Sequence, residues 1–192
     1  MFVIKLKIFM STKIIEMFKK NSAIATGERI YLKIMQEENA TVDYCDWLND
    51  VVVNKYLETR SVTIKELKKY IKEKLVDDNC LFFGIFMKID NRHIGNLKLE
   101  PINWQKKTAV FGILIGDKNY WGKGVGTEAT KLAIDFSLNS LGLNELELGV
   151  ISKNTGAIKV FKKSGFKVVE ILEKEMNHDG VLYDKVVMKV KK

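Results

Sequence analysis

Residues 29–36 alternate, with Ile30, Leu32 and Ile34 set against Arg29, Lys33 and Gln36. A period of two predicts a strand with one buried face. Over 39–49 the period changes, and Val42, Cys45 and Leu48 fall on one helical stripe. A second short helix is expected within 51–60. Thr63 with Glu66 three residues on forms a capping box, so the next helix starts there and runs to about Asp77. Its buried side is Ile64, Leu67, Ile71 and Leu75. Residues 80–89 are a dense apolar strand, and Asp90-Asn91 is a turn signal. The partner strand, 93–102, carries Leu97 and Leu99 on one face and Asn96, Lys98 and Glu100 on the other. Residues 104–107 turn the chain into a third strand, Thr108–Ile115. A long amphipathic helix pattern covers 125–141, closed by Gly142.

The crossover through that helix makes the next strand, 144–151, parallel to Thr108–Ile115. A short helix over 153–163 ends at Ser164-Gly165. Strands over 166–172 and 182–190 follow, joined by residues 177–180. The pattern predicts an α+β fold: a central, mostly antiparallel mixed sheet of about seven strands flanked by about four helices. Near the start, Phe2, Ile4, Leu6 and Ile8 alternate with Lys5 and Lys7 as a short strand. Ile14, Ile15, Met17 and Phe18 then suggest a turn or two of helix. Residues 1–27 form an appendage in this picture, and 28–192 a single domain.

Composition changes little, since 46% hydrophobic and 29% charged residues are ordinary for a folded domain. The net charge of +8 matters more for where it sits. Residues 1–27 hold five Lys against one Glu, and residues 185–192 hold four Lys. The body between them is near neutral, so the basic stripe expected of a nucleic-acid domain is missing. Cys45 and Cys80 share no CxxC spacing and predict reduced thiols in a cytoplasmic protein. His93 and His178 make no zinc pattern with them, and no metal is expected. No apolar run approaches a membrane span, and residues 1–10 lack the long core and cleavage site of a signal peptide.

The chemistry concentrates where strand Thr108–Ile115 runs into Gly122, Gly124 and Gly126, and then into the long helix. A strand, a glycine-rich turn and a helix start aim free backbone N–H groups and a partial positive charge at one spot, which suits phosphate. Walker A spacing does not fit this loop. Gly124-Val-Gly126-Thr-Glu-Ala129 matches a G-x-G-x-x-A dinucleotide fingerprint, with Glu145 or Glu147 about twenty residues on. That fold requires repeated βαβ units, and this chain offers one, after a meander.

Trp121-Gly-Lys-Gly-Val-Gly126 followed by Thr127-Glu128-Ala129 resembles the acetyl-CoA loop of the GCN5-related N-acetyltransferases (GNAT). Residues 150–154 and 157–166 are similar to that family's second CoA segment. The residues around Trp47 and the Ile94-Gly95-Asn96 step resemble its RimJ/RimL-type branch. The resemblance covers about 28–192 and implies acetyl-CoA as co-substrate. It implies cofactor contacts from Leu114, Ile115, Trp121, Gly122, Lys123, Gly124, Val125, Gly126 and Thr127, with Asn154 on the pantetheine arm and Phe161 beside the thiol.

Three positions depart from that pattern. Trp121 replaces Arg or Gln, Phe161 replaces the tyrosine acid of many members, and Val110 replaces their glutamate base. An amine must still lose a proton before it attacks a thioester, directly or through water. Glu100, on the polar face of its strand, is the expected base, with Glu147 a weaker one. Tyr183 is the expected proton donor, with Tyr120 as the alternative. Acceptor contacts are expected from Trp47, Asn49, Tyr56 and Arg60. The implied reaction is acetyl transfer to a primary amine of a small molecule, such as an amino sugar or nucleotide-linked amino sugar. A protein N terminus and an inactive CoA-binding module are the alternatives. Neither nucleic acid nor membrane is an expected partner, and a monomer or a homodimer fits equally.

Overall fold

The computed structural model describes residues 22–58, 61–178 and 180–192. Within them eight strands form one sheet in the order β1-β2-β3-β4-β5-β6-β8-β7. They are β1 (Ala23–Thr26), β2 (Ile30–Ile34), β3 (Leu81–Met87), β4 (His93–Asn103), β5 (Thr108–Ile115), β6 (Glu145–Ile151), β7 (Lys167–His178) and β8 (Val181–Lys191). Among the described residues four helices flank it: α1 (Val42–Asn49), α2 (Ile64–Val76), α3 (Val125–Asp135) and α4 (Thr155–Ser164). Every pairing is antiparallel except β5 with β6.

The sheet is covered on both faces, which is why β3 reads as an unbroken apolar run. Leu81, Phe83 and Ile85 pack in one cluster with Val125, Ala129 and Ala133 of α3 and Phe161 of α4. Phe82 points the other way, into a second cluster with Tyr44, Trp47 and Leu48 of α1 and Leu67 and Ile71 of α2. The capping box starts α2 as expected. Thr63 Oγ1 accepts from Glu66 N at 3.3 Å, and Glu66 Oε2 accepts from Thr63 N at 2.8 Å. Gly142 takes a left-handed conformation, φ 72°, and ends the α3 segment after a final π turn over Phe136–Ser140.

Several details differ from the sequence pattern. The eighth strand, β1, lies in the stretch set apart as an appendage; it pairs with β2 and forms one edge of the sheet. The strand expected near Phe2 and the helix near Ile14 lie outside the described residues. Val42 is exposed, because Thr41 caps α1 and the buried stripe is Tyr44, Cys45, Trp47 and Leu48. The second helix expected over 51–60 reduces to a 3-10 turn at Asn54–Tyr56. There Asp50 Oδ1 accepts from the amides of Val52 and Val53 and bends the chain before a helix can form. Among the described residues, no helix is long and apolar enough to cross a membrane.

Candidate active site

The two parallel strands part in the middle of the sheet. β5 pairs with β6 only at Thr108, Ala109 and Val110, against Glu145, Leu146 and Glu147. Beyond Val110, β5 continues to Ile115 with its other side on β4, while β6 continues to Ile151 with its other side on β8. A wedge-shaped opening is left between them, and the glycine loop stands at its wide end.

The loop is built from local bonds. Gly116 N and Asp117 N both donate to Ile94 O, at 2.9 and 3.1 Å, which closes the end of β5 onto β4. The buried Asp117 accepts from Asn119 N at 2.9 Å and pairs with Arg92 at 3.0 Å, folding the turn that follows. Trp121 donates from its indole N–H to Ile115 O at 2.7 Å, so its ring caps the strand end while staying 42% exposed. Gly122 and Gly124 have φ of 71° and 79°, a backbone that a side chain strains, and no Cβ would find a neighbour within 3.4 Å at either. Gly124 is the N-cap of α3 and its carbonyl takes the first helical bond, from Glu128 N at 3.0 Å. Helix geometry then leaves the amides of Val125, Gly126 and Thr127 without intrahelical acceptors. This geometry can hold an anion.

Two residues to which the sequence pattern gives no site role hold the loop in place. Glu128 Oε1 accepts from Arg29 N at 2.8 Å and Ile30 N at 3.3 Å, and Oε2 accepts from Arg29 Nε at 2.8 Å. Arg29 Nη1 donates to Lys123 O at 2.7 Å. Burial alone would raise the Glu128 carboxyl, but the bonds from Arg29 hold it below the usual range. Nothing in a one-dimensional pattern links positions 99 apart.

In the stretch that resembles the second CoA segment, Asn154 caps α4 by accepting from Ala157 N at 3.2 Å through Oδ1. Phe161 is a core residue, 6% exposed, edge-on to Phe111 and packed against Phe166. Leu114 and Ile115 are half-buried at the end of β5.

The expected catalytic residues are far apart. Glu100 forms ion pairs with Lys74 and with Lys98, the latter at 2.6 Å. Burial pushes its carboxyl up, yet the two ammonium groups hold it net below the ordinary range, the opposite of what a base needs. It also lies five residues along β4 from Gly95, the partner of Ile115, or about 16 Å from the loop end at strand rise. Both features weigh against Glu100 as the group that takes the amine proton directly. Glu147 pairs with Lys189 at 2.7 Å. Tyr183 lies on β8, two residues from Lys185, the partner of Ile151, and so level with the wide end of the wedge, one strand beyond β6.

Of the expected acceptor contacts, Asn49 is committed to the fold, since its carboxamide donates to Val62 O and accepts from Val62 N. Trp47 is 9% exposed and its indole lies over Gly116. Tyr56 donates to Lys153 O at 3.2 Å, joining the α1–α2 connection to the start of the second CoA segment. Arg60 lies outside the described residues. Beside Trp47 sits His93, whose ring stacks on Phe86 and touches Tyr44 and Trp47. Its Nε2 lies 2.9 Å from Gly95 O and 3.0 Å from Asn96 Oδ1, and burial pushes it down to about 4. Charge on this side is local. Residues 36–54 contain Glu37, Glu38, Asp43, Asp46 and Asp50 and no Lys or Arg. Among the described residues, no group of three His, Cys, Asp or Glu side chains gathers as a metal site.

Comparison with known proteins agrees with this geometry. A family model described as an acetyltransferase (GNAT) domain matches residues 29–167. The probable N-acetyltransferase YjcK of Bacillus subtilis is 35% identical over 127 residues, 66% of this chain and 69% of that protein. The spermidine N(1)-acetyltransferase of Escherichia coli is 37% identical over 93 residues, 48% of this chain and 47% of that protein. The same fold is seen in the spermidine N-acetyltransferase of Vibrio cholerae in complex with CoA and spermine. That structure has a TM-score of 0.78 at 22% identity, covering 86% of this chain and 96% of its own.

Proposed function

The chain belongs to the GNAT acetyltransferase family and is an acetyl-CoA-dependent N-acetyltransferase, and we propose that its acceptor is a primary amine of a small molecule. The observation that carries the site assignment is the wedge between β5 and β6 with unpaired helix-start amides at its wide end. In this reading the pyrophosphate rests on the backbone from Gly122 to Thr127. With Trp121 in place of Arg or Gln, that contact is made by amides and by the charge of Lys123.

Bound acetyl-CoA supplies an activated thioester. The chain's part is placement. Successive amides of a strand face opposite edges, and Leu114 pairs with Asn96 of β4, so Ile115 is the residue whose backbone N–H can meet the developing oxyanion; a fixed donor there is worth about 3 kcal/mol. Asn154, whose Oδ1 is held as a cap, leaves its Nδ2 for the pantetheine arm. Phe161, packed against Phe111 and Phe166, keeps position 161 apolar. The thiolate leaves without help from a tyrosine at 161, since its pKa near ~8.5 makes it a tolerable leaving group. Tyr183, level with the wide end, serves as proton donor. With Glu100 neutralised by two lysines, the amine proton departs to water.

Two classes of acceptor divide the proposal. An amino sugar or nucleotide-linked amino sugar is the first. A polyamine-like cation is favoured by one observation, the run of carboxylates on and before α1 with Asp43 and Asp46 exposed. The relatives that acetylate spermidine make it a natural comparison. Trp47 and Tyr56 border that side. A protein N terminus, as in the RimJ/RimL-type branch, is the remaining alternative. Thiol release from acetyl-CoA across amino sugars, polyamines and peptide N termini tests the proposal. Turnover with a small amine is expected. Turnover with peptides alone overturns it. Binding without release on any amine leaves an inactive CoA-binding module, the alternative that Val110 and Phe161 motivate.

A further inference from the structure

We propose that Arg29 is a positioning residue for acetyl-CoA, aiming the phosphate-binding amide of Gly124 from behind the loop through a clamp shared with Glu128. The inference rests on the reading of residues 122–127 as the pyrophosphate cradle.

The argument begins with peptide geometry. Arg29 Nη1 holds the carbonyl of Lys123 at 2.7 Å. In a trans peptide the C=O and the following N–H point in opposite directions. Fixing Lys123 O toward Arg29 therefore turns Gly124 N–H away from Arg29, toward the open side of the loop. A glycine at φ 79°, flanked by another positive-φ glycine at 122, has no side chain to hold that plane. The guanidinium does so instead. Its Nη2 lies 3.5 Å from where a Gly124 Cβ would stand, so it backs the loop closely.

The clamp is fixed at its other end. Glu128, in the first turn of α3, takes Arg29 Nε and the backbone amides of Arg29 and Ile30. One carboxylate and one guanidinium thus lock three things together: the start of β2, the Lys123 carbonyl within the cradle, and the first turn of α3. Both groups are charged and the Arg29 fork is planar, so the geometry is stiff. The clamp also sets a cation behind a loop whose residue 121 is Trp, though Arg29 need not touch the ligand. A loop ordered before binding loses less freedom on binding, and the gain appears as affinity.

The test compares three variants by calorimetric titration with CoA and by steady-state kinetics. Arg29→Ala is expected to raise Kd for CoA and KM for acetyl-CoA about ten- to a hundredfold, the scale of charge-assisted hydrogen bonds. The kcat at saturating acetyl-CoA and the KM for the amine should change less than about threefold. Arg29→Lys keeps the charge but loses the fork, and it should recover little of the affinity. Full recovery by lysine, or an unchanged Kd in Arg29→Ala, overturns the proposal. If Arg29→Ala does not fold, Glu128→Gln, equal in size, carries the same expectation and the same refutation. Gly126→Glu separates the two levels. If it leaves CoA affinity intact, the cradle reading itself fails. If it abolishes binding while the Arg29 and Glu128 variants bind normally, the cradle stands and the clamp does not.

Discussion

Replacing Gly116 by alanine should destabilise this protein through a single contact. Gly116 follows the last residue of β5, and a Cβ there would lie 2.7 Å from Trp47 Cγ and nearer still to Cδ2 and Cε3. The φ of Gly116 is not among the positive ones, so backbone strain does not enter. Trp47 has little room to retreat. It is 9% exposed, with the His93 ring centroid at 5.2 Å and that of Tyr44 at 5.8 Å. Over-packing a filled site costs about 1–3 kcal/mol, and the contact with several ring atoms argues for the upper part of that range. In urea unfolding at 25 °C, the midpoint should fall with an unchanged slope. The companion is Trp47→Leu, which removes the ring. On that background Gly116→Ala should cost under about 0.5 kcal/mol, giving a coupling of roughly 1–3 kcal/mol. An equal loss in both backgrounds, or none in the parent protein, refutes the reasoning.

Three further outcomes follow from titrating groups whose surroundings shift them. Glu100, held low by Lys74 and Lys98, contributes stability that is complete above the free-carboxylate range and lost as pH falls through its own lowered value. Unfolding midpoints of Glu100→Gln and the parent should therefore differ at neutral pH and converge in acid. His93, pushed down to about 4, stays neutral at pH 5.5, where a free histidine is mostly charged; its ring proton shifts in NMR should not move between pH 7 and 5.5. Its contribution to stability is present above about pH 6.5 and lost as pH falls toward 4. Cys80, buried and raised to about 12, should react with a disulfide reagent only after urea is added, and fast labelling of the folded protein at pH 8 would contradict its placement.

The parts of the fold that could be read in the sequence carry their own local cause. The capping box at Thr63 and Glu66, the strand Thr108–Ile115 and the left-handed stop at Gly142 each depend on neighbours in the chain. β1 was missed because four residues, Ala-Ile-Ala-Thr, give too short an alternation to count. Val42 looked like core because a helical stripe drawn from 39 takes no account of a helix that starts at 42. Asn49 resembled a ligand contact because a polar residue on a helix end shows no sign of Val62, whose two backbone groups it binds. Glu100 was placed on the correct face, but its lysine partners come from α2 and from β4, and only the packed structure brings both together. The Arg29–Glu128 pair joins the first strand of the predicted domain to the helix after the loop, a pairing set by sheet order.

The parting of β5 and β6 leaves the sheet with an inner margin. An exposed outer margin invites any extended chain to add itself, and proteins guard against that. Here the guard is shape. The gap closes at Val110 and Glu147, so it tapers to the width of one hydrogen-bonded pair and gives no passage to a through-running strand. What suits it is one slender molecule entering tip first, with amide-like groups spaced to meet backbone on either side and a charged end left at the mouth. The fold thereby selects its donor by outline before any side chain takes part, which leaves α1 and the α1–α2 connection free to vary with the acceptor.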